Sequence, residues 1–375
     1  MPESTDLAGL VTALDRIVPP EHAEPWDNTG LLLGISGDPV ERVLLCIDLT
    51  DAVVAEALKR EVDAIVAYHP PIFAPRTSLT DGDPAGDRLL ALARAGIGVH
   101  SPHTAADAAI GGTNDWLLDV LGATNGMAIR HAASLPEGER YKLVTFVPTE
   151  AAESVRLALA EANAGRIGDY DHCSTTVPVT GTFRGGEGTD PAVGVQGRLE
   201  QVSETRLEMV CGADHLADAL AGLRRAHPYE EPPIEIHELA DRPDPRIGAG
   251  RIGRLEPGAT VAEIVDRLRR GLGTDRFVVQ EPRSRRRHRR VGVCAGSGGE
   301  LLGDAIAAGC TLFVTGELKH HDVLAAAEAG CAVVLAGHTN TERGWLKVLQ
   351  RRLRKALPEV AFTVSRADVD PLRTA

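Results

Sequence analysis

The 375-residue chain has few cysteines, and none of them is spaced as a metal-binding or redox motif. The six cysteines lie far apart and form no CxxC pair. A chain of this length buries enough apolar surface to fold without disulfides. The pattern therefore predicts reduced, mostly buried thiols in a cytoplasmic protein and excludes the small disulfide-rich secreted domains.

An excess of positive charge is also missing. The chain has 40 Lys and Arg against 53 Asp and Glu, a net charge of −13. This charge repels phosphate backbones and anionic lipids, so it argues against a nucleic-acid-binding or membrane-surface protein. No apolar run approaches the roughly 18 residues of a membrane span. The first segment, MPESTDLAGL, lacks the basic and apolar regions of a signal peptide.

Histidine, by contrast, is plentiful, with 13 residues against the six cysteines. Imidazole is the side chain best suited to metal binding and proton transfer near neutral pH. The composition, 43% hydrophobic and 25% charged, is that of a globular protein rather than a disordered or fibrous one. At about 100 to 200 residues per domain, the length predicts two or three domains.

Residues 1–133 alternate between helix and strand patterns. Apolar residues at helical spacing predict helices, and short apolar runs predict buried strands. Such alternation is typical of a parallel sheet covered by helices. In chain order we predict the helix Leu7–Ile17, the strand Val43–Ile47, the helix Asp51–Arg60, the strand Ala64–Tyr68, the helix Arg88–Ala95 and the strand Ile97–His100.

Residues 134–241 have a different pattern and include a glycine-rich stretch from Gly165 to Gly197. The order β-α-β-β-α-β, with room for one more strand before the second helix, is that of a ferredoxin-like sandwich. We therefore predict an inserted α+β domain. Its predicted elements are the strand Lys142–Val147, the helix Glu150–Ala162, the strand Arg206–Val210, the helix Leu216–Ala226 and a last strand in HPYEEPPIEIHEL.

Residues 242–375 return to the α/β pattern and repeat the order of the first part. In each part the third strand runs into a His-Thr-x-x-carboxylate segment followed by a tryptophan, with His103 and Asp107 in the first and His338 and Glu342 in the second. We therefore predict two related α/β halves of one discontinuous domain. The second half is predicted from the strand Val291–Cys294, the helix Glu300–Ala308, the strand Leu312–Thr315, the helix Val323–Glu328 and the strand Cys331–Leu335.

Polar groups lie just past several of these predicted strands. Ligands in open α/β sheets gather beyond the carboxyl ends of the strands, so these side chains can converge. Imidazole and carboxylate without thiolate suit Zn, Mn, Fe, Co or Ni, and a bridging carboxylate suits two such ions. A single HxxxD pair is more often a helix cap with its partner than a ligand set, but two copies at repeated positions plus a third His at a strand end favour a metal site. The groups are His69, His103 with Asp107, Lys319-His320-His321, and His338 with Glu342.

Three further features have competing interpretations. The segment Trp26 to Gly30 is either an Asx turn ended by glycine or a substrate contact. The segment Gly296 to Gly299 precedes a helix, as a phosphate cradle does, but matches neither the dinucleotide-binding nor the P-loop pattern. His172, His215 and His237 lack a carboxylate at ligand spacing and are interpreted as structural.

Six motifs, in order, resemble the Nif-three-like family, whose bacterial members are named GTP cyclohydrolase I type 2 homologues. They cover about residues 5 to 130 and 247 to 365. The middle segment, with GDYDHCS, GTFRG and HPYEEP, resembles the insert of longer family members, which is similar to PII-like and CutA-like signalling sandwiches. The six motifs are WDNTGLLLG, AYHPPIF, SPHTAADAAIGGTNDWL, GRIG, TGELKHHD and AGHTNTERG.

The resemblance implies a dinuclear centre with two divalent metal ions per subunit, in a ring-shaped homohexamer built from dimers. Many members have two adjacent histidines where this chain has Tyr68 and His69. This departure removes one ligand, so a tyrosine oxygen, water or His103 replaces it, or one ion binds weakly. His103 either supports a ligand or is one, and Glu317, where Asp is common, holds a neighbouring group. The ligands carried over from the family are His69, Asp107, His338 and Glu342.

The implied activity is metal-dependent hydrolysis of a small molecule. Two divalent ions about 3.5 to 4 Å apart lower the pKa of a shared water and polarise the scissile group. His103 would relay the proton, and Lys319 or His320 would stabilise developing negative charge. GTP ring opening, the family's named activity, is such a hydrolysis and implies a nucleotide. The residues themselves specify no purine, because the sequence has no aromatic stacking motif and no recognised phosphate loop.

A second hypothesis belongs to another class: a metal-binding hexameric scaffold or sensor that is not an enzyme. Under this hypothesis the PII-like insert binds and responds to a small ligand, and the metal site is structural or regulatory. Incomplete coordination at Tyr68 favours this hypothesis. A third, partner binding in transcription control, is supported by the family name alone.

Overall fold

The structure is a computed structural model that describes residues 5–134, 138–282 and 287–372. It contains two compact units: Met1–Ala132 with Asp244–Ala375, and Ala133–Pro243. The sequence analysis places the insert at residues 134–241. Within the described ranges, no helix has the length and apolar character needed to cross a membrane.

The first unit contains two large sheets, and each includes three neighbouring parallel strands that are joined through helices. Its helices are α1 (Leu7–Ile17), α2 (Asp51–Arg60), α3 (Pro84–Arg94), α4 (His103–Ala108) and α5 (Thr113–Val120). Its strands up to this point are β1 (Gly30–Leu33), β2 (Arg42–Cys46), β3 (Ala64–Ala67), β4 (Gly98–Ser101) and β5 (Thr124–Met127), followed by β6 (Arg130–Ser134).

The second unit follows with β7 (Tyr141–Pro148), α6 (Ala152–Glu161), β8 (Thr175–Arg184), β9 (Leu199–Cys211), α7 (Leu216–Ala226) and β10 (Ile234–Glu238). The first unit then resumes with β11 (Arg242–Ala249), β12 (Arg251–Ala259), α8 (Val261–Leu272), β13 (Val278–Gln280), β14 (His288–Ser297), α9 (Gly299–Ala307) and β15 (Leu312–Glu317). The chain continues with α10 (His320–Glu328), β16 (Ala332–Leu335), α11 (Asn340–Arg343), α12 (Leu346–Ala356) and β17 (Ala361–Val364).

The two sheets of the first unit confirm the predicted relation between its halves. The first sheet has the order β1-β4-β3-β2-β17, and the second has the order β13-β16-β15-β14-β12-β5. In one, β2, β3 and β4 are parallel neighbours joined through α2 and α3. In the other, β14, β15 and β16 are parallel neighbours joined through α9 and α10. Each set of three strands leads into a predicted HxxxD or HxxxE segment: His103 and Asp107 lie on α4, whereas His338 lies just before α11 and Glu342 on it.

Helices cover both faces of each sheet, as expected for largely parallel strands buried on both sides. In β2, Val43 and Leu45 pack in one cluster with α1 and α12, while Leu44 and Cys46 pack in another with α2 and α3. This alternation places neighbouring residues of a strand on opposite faces. The second sheet is buried in the same way, between α5 and α8 on one face and α9 and α10 on the other.

The helix α3 begins four residues before its predicted start at Arg88. The side chain of Asp83 accepts a hydrogen bond from the Ala85 backbone N–H, and Pro84 occupies the first turn. An Asp cap followed by proline is a strong start signal, because proline gives up only an N–H that the first turn leaves unpaired. The apolar periodicity alone did not reveal this start.

The second unit is a ferredoxin-like sandwich, with the sheet order β10-β7-β9-β8 and all strands antiparallel. Both α6 and α7 pack on one face of this sheet. The ten-residue strand β8 lies within the glycine-rich stretch from Gly165 to Gly197, and it contains Pro178 and Gly181. It lies at the edge of the sheet, where proline is tolerated because no neighbour needs its missing N–H.

We expect His100 to make the first unit less stable in acid. His100 lies in β4, is 4% exposed, and has no hydrogen-bond partner for either ring nitrogen among the described residues. Burial lowers its pKa from 6.5 to about 4. Between pH 6.5 and pH 4, His100 is protonated in the unfolded chain but neutral in the folded chain. The free energy of unfolding therefore falls as the pH drops from 6.5 to 4. The loss at pH 4 is about 3 kcal/mol.

Urea unfolding of the wild type and His100→Leu at pH 7 and pH 4 tests this expectation. Relative to the wild type, the variant should gain about 3 kcal/mol in free energy of unfolding at the lower pH. His131→Gln, at an exposed position of β6, is the control and should follow the wild type. Equal pH dependence of wild type and His100→Leu would show that His100 does not cause the acid sensitivity.

Candidate metal centre

Polar side chains from both sheets of the first unit come together where parallel strands end. Asp48 follows β2, His69 follows β3 and His103 follows β4. In the other half, Glu317 ends β15 and His338 follows β16. All of these positions lie at the carboxyl ends of their strands, the edge at which open α/β sheets bind ligands.

The centre of this cluster is Glu342, which lies on α11 between two imidazoles. Its Oε2 lies 3.5 Å from His69 Nε2, and its Oε1 lies 3.3 Å from His338 Nε2. One ligand atom from each of the three residues falls within 4.8 Å of the other two. This spacing allows all three residues to bind one ion.

The cluster fits a divalent metal ion by its burial and by its donor chemistry. Glu342 is 2% exposed, and its Oε2 has no hydrogen-bond partner among the described residues. A buried carboxylate is costly unless positive charge compensates it, and the nearest group to Oε2 is His69 Nε2 at 3.5 Å. Gly296, with φ of +63°, leaves the space open: a Cβ there would lie 2.8 Å from Glu342 Oε1. Imidazole and carboxylate donors without thiolate suit the metals predicted from the sequence.

A carboxylate oxygen lies next to the Nδ1 atom of His69, of His338 and of the nearby His103. His69 Nδ1 lies 2.9 Å from Asp48 Oδ1, and His338 Nδ1 lies 3.0 Å from Glu317 Oε1. A carboxylate at Nδ1 fixes the ring orientation and leaves Nε2 free, the usual arrangement of metal-binding histidines. The family resemblance predicts that Glu317 holds a neighbouring group, whereas no sequence motif points to Asp48.

His103 is held in the same way by Asp27. Its Nδ1 lies 2.7 Å from Asp27 Oδ1, and Asp27 Oδ2 accepts hydrogen bonds from the N–H and the hydroxyl of Thr104. His103 has a φ of +28°, which L-residues rarely adopt. The segment Trp26 to Gly30 thus contributes a carboxylate that positions His103, a role that neither of its two interpretations included. In the sequence, Asp27 is marked only by its place in the segment Trp26 to Gly30, and nothing there connects it with His103.

Charge pairing shifts the pKa values of the clustered groups. Burial alone would lower the pKa of His69, but the carboxylates of Asp48 and Glu342 raise it to about 10. Pairing with Glu342 raises the pKa of His338 to about 9. Burial would raise the pKa of Glu342, but the two imidazoles lower it. A metal ion binds neutral imidazole, so binding displaces these protons and is favoured by higher pH.

Asp107 lies beside this cluster and is held by Tyr68. The Tyr68 hydroxyl donates a hydrogen bond to Asp107 Oδ1 at 2.5 Å. Burial, together with the charge of Glu342, raises the pKa of Asp107 to about 7, although the hydrogen bond from Tyr68 acts to lower it. Burial and the neighbouring carboxylates also raise the pKa of Tyr68 well above its usual value. Tyr68 therefore keeps its proton and orients Asp107.

The remaining predicted groups lie elsewhere. Lys319 and His320 are exposed at the start of α10, and within the described ranges neither forms a hydrogen bond or ion pair with the clustered residues. Gly296 packs against Glu342 and His338, and a Cβ at Gly299 would lie 2.9 Å from an Asp322 carboxylate oxygen. The segment Gly296 to Gly299 therefore lies next to a carboxylate at each of its ends. His172, His215 and His237 belong to the second unit.

This arrangement defines an α/β protein of two related halves with a His/carboxylate site at the carboxyl ends of both sheets. The family model Duf34/NIF3 (NGG1p interacting factor 3) matches residues 5–371. The chain belongs to this family, and the membership expected from its motifs is confirmed.

Relatives match along nearly the whole chain. A Mycobacterium tuberculosis protein named GTP cyclohydrolase 1 type 2 homolog is 34% identical over 376 residues, 96% of each chain. NIF3-like protein 1 of Mus musculus is 33% identical and covers 98% of this chain and 92% of its own. The crystal structure of a Bacillus cereus protein related to NIF3 covers 100% of both chains at 29% identity, with a TM-score of 0.80. A Staphylococcus aureus crystal structure at 25% identity has a TM-score of 0.83 over the same coverage.

Proposed function

We propose that the protein is a hydrolase that depends on two divalent metal ions, held by His69, Asp107, His338 and Glu342. The observation that carries the proposal is Glu342, a buried carboxylate with one oxygen toward each of two imidazole Nε2 atoms. Bound divalent ions supply Lewis acidity and lower the pKa of water. Many family members have a second histidine at the position of Tyr68. Tyr68 does not replace it as a ligand, because its protonated hydroxyl donates a hydrogen bond to Asp107.

In this proposal His103 accepts and returns a proton at Nε2. Its ring centre lies 5.4 Å from that of His69, and Asp27 at Nδ1 keeps the ring oriented. A base oriented by a carboxylate is the arrangement that general acid–base catalysis needs. Lys319 and His320, exposed at the start of α10, remain our candidates for stabilising negative charge on the substrate.

A cavity beside the centre supports an anionic small molecule as the substrate. The cavity has a volume of about 370 Å³ and is lined by Asp48, His69 and Arg88 among others. This volume is within the range of small-molecule sites. The guanidinium of Arg88, which is paired at 2.9 Å with the exposed Asp51, is of a kind that also binds phosphate or carboxylate. Because relatives are named GTP cyclohydrolase 1 type 2 homologs, GTP is the first substrate to test.

The test is a hydrolysis screen of GTP, other nucleotides and phosphodiesters with Mn²⁺, Zn²⁺ or Fe²⁺. We expect Asp107→Ala and Glu342→Ala each to lower turnover at least about 100-fold, since each removes a proposed ligand. Glu328→Ala, at an exposed position of α10, is the control and should retain full activity. Turnover that survives both ligand substitutions would exclude this site as the catalytic centre.

The second candidate is a metal-binding hexameric scaffold or sensor that is not an enzyme, regulated through a PII-like insert. Its supporting observation is that the inserted unit has its own core and its own cavity of about 520 Å³. Metal uptake without turnover of any substrate would favour it. Light scattering of the purified protein tests the expected hexamer in either case.

A further inference from the structure

The face of the inserted sheet opposite its helices carries an unusual set of side chains. On β9, Leu207 and Met209 pack in the core with α6 and α7. Side chains alternate along a strand, so Glu204 points to the other face. Directly paired residues of antiparallel strands share a face, which adds Val179 of β8, the partner of Glu204.

A cavity of about 520 Å³ lies on this open face. Strands and the loop before β10 supply its aromatic and acidic walls, and the other lining residues are apolar, hydroxyl-bearing or glycine. No basic residue is among the described residues that line it. The chemistry-bearing side chains are Phe146, Phe183, Tyr229, Glu204, Glu230 and Glu231.

Glu204 is the buried charge of this cavity. It is only 7% exposed, and its Oε1 accepts a hydrogen bond of 2.6 Å from the Tyr229 hydroxyl. Its Oε2 has no hydrogen-bond donor and no cationic partner among the described residues. Gly181 leaves room for this oxygen, because a Cβ there would lie 2.1 Å from it. The neighbouring Arg206 is paired instead with Glu208 at 2.9 Å.

A buried carboxylate without a cation is unfavourable, and a bound cation would relieve the cost. Aromatic rings border the same space: the Phe183 and Tyr229 ring centres lie 6.2 Å apart at 56°. Aromatic faces attract organic cations, and their apolar walls accept alkyl groups. A bare Mg²⁺ or Ca²⁺ would instead require a shell of oxygen ligands.

We propose that this cavity binds a small organic cation, an alkylammonium or quaternary ammonium group with apolar substituents. Glu204 would pair with the positive charge, and Phe183 and Tyr229 would contact its alkyl groups. Glu230 and Glu231, both exposed, would add negative charge at the rim. This site is independent of the metal centre and gives the inserted unit a ligand of its own.

Calorimetric titration of the full-length protein with choline tests the proposal. We expect choline to bind at least about 10-fold more tightly than 3,3-dimethyl-1-butanol, its uncharged analogue of similar shape. Glu204→Gln keeps an acceptor for Tyr229 but removes the charge, and it should weaken choline binding at least about 10-fold. Glu161→Gln removes an exposed carboxylate of α6, on the other face of the sheet and outside the cavity; it is the control and should bind choline as the wild type does.

A second variant keeps the test decisive if Glu204→Gln folds poorly by circular dichroism. Phe183→Leu preserves apolar volume but removes an aromatic face, and it should weaken choline binding about 3- to 10-fold. Equal binding of choline and its neutral analogue would overturn the proposal. So would unchanged choline binding in both cavity variants, the absence of binding by choline and by tetramethylammonium, or displacement of choline by equimolar Mg²⁺.

Discussion

Glu342→Gln is expected to lower the affinity of the protein for divalent metal ions at least about 100-fold. The change is nearly isosteric, so it removes charge without opening a cavity. Glu342 is the residue shared by both imidazoles, at 3.5 Å from His69 Nε2 and 3.3 Å from His338 Nε2. An amide cannot offer a metal ion the negative charge of two carboxylate oxygens, and it leaves the ion's charge uncompensated in a buried site.

Metal analysis of the freshly purified protein, followed by titration against a chelator of known affinity, measures this effect. Glu328→Gln, an exposed carboxylate on α10, removes the same charge far from any ligand and should keep the wild-type metal content. A Glu342→Gln protein that retains the wild-type content after dialysis against chelator would place the metal elsewhere. That result would also remove the main support for the proposed hydrolase.

Arg251→Met is expected to destabilise the first unit by about 3 to 5 kcal/mol. The Arg251 side chain is fully buried, and its Nε donates to Asp115 Oδ1 at 2.5 Å. Its two terminal nitrogens donate to four backbone carbonyls, at 2.7 to 3.0 Å, which belong to Gly248, Gly250, Ala108 and Ala109. Methionine keeps the apolar length of the side chain but leaves all five acceptors without this donor.

Equilibrium unfolding in urea measures the loss, with Arg254→Met as the control. Arg254 lies on the same strand and is exposed, and its ion-pair partner among the described residues is the exposed Glu256 at 3.5 Å, so its loss should cost under about 1 kcal/mol. Equal stability of the two variants would show that the buried network is energetically neutral. Because Ala108 and Ala109 directly follow Asp107, we also expect Arg251→Met to weaken metal binding.

Arg251 also explains the GRIG motif, whose residues give no chemical signal by themselves. Gly250 has a φ of +61°, and a Cβ there would lie 2.7 Å from Ile129 Cδ1, so a larger residue would both strain the backbone and clash. The motif thus brings a guanidinium into the interior, where it joins β12 to the end of α4. From the sequence it was only a marker of family resemblance.

Local sequence signals were sufficient for much of the fold. The helices Asp51–Arg60 and Leu216–Ala226 have their predicted bounds, because apolar periodicity acts within a few positions; Thr50 also caps the first of them. The repeat was also readable, since two copies of one supersecondary pattern preserve the order of strands, helices and His-Thr segments. The α/β fold class and the ferredoxin-like insert follow from that order.

The tertiary structure decided which polar groups meet. The sequence singled out His69, His103 and His338, and Glu317 as a supporting group, but it could not select Asp48 and Asp27 among 53 acidic residues. Asp27 is 76 positions from His103, and Asp115 is 136 positions from Arg251. No periodicity extends over such separations, because these contacts arise only when the sheets pack.

The sequence by itself therefore determined the elements, their order and the ligand-type residues at the ends of the strands, since each depends on neighbours along the chain. Only the tertiary structure decided that Glu342 lies between two imidazoles, that Tyr68 holds Asp107, and that Glu204 is buried in an aromatic cavity. These features depend on burial and charge pairing between distant segments, and both are properties of the packed molecule.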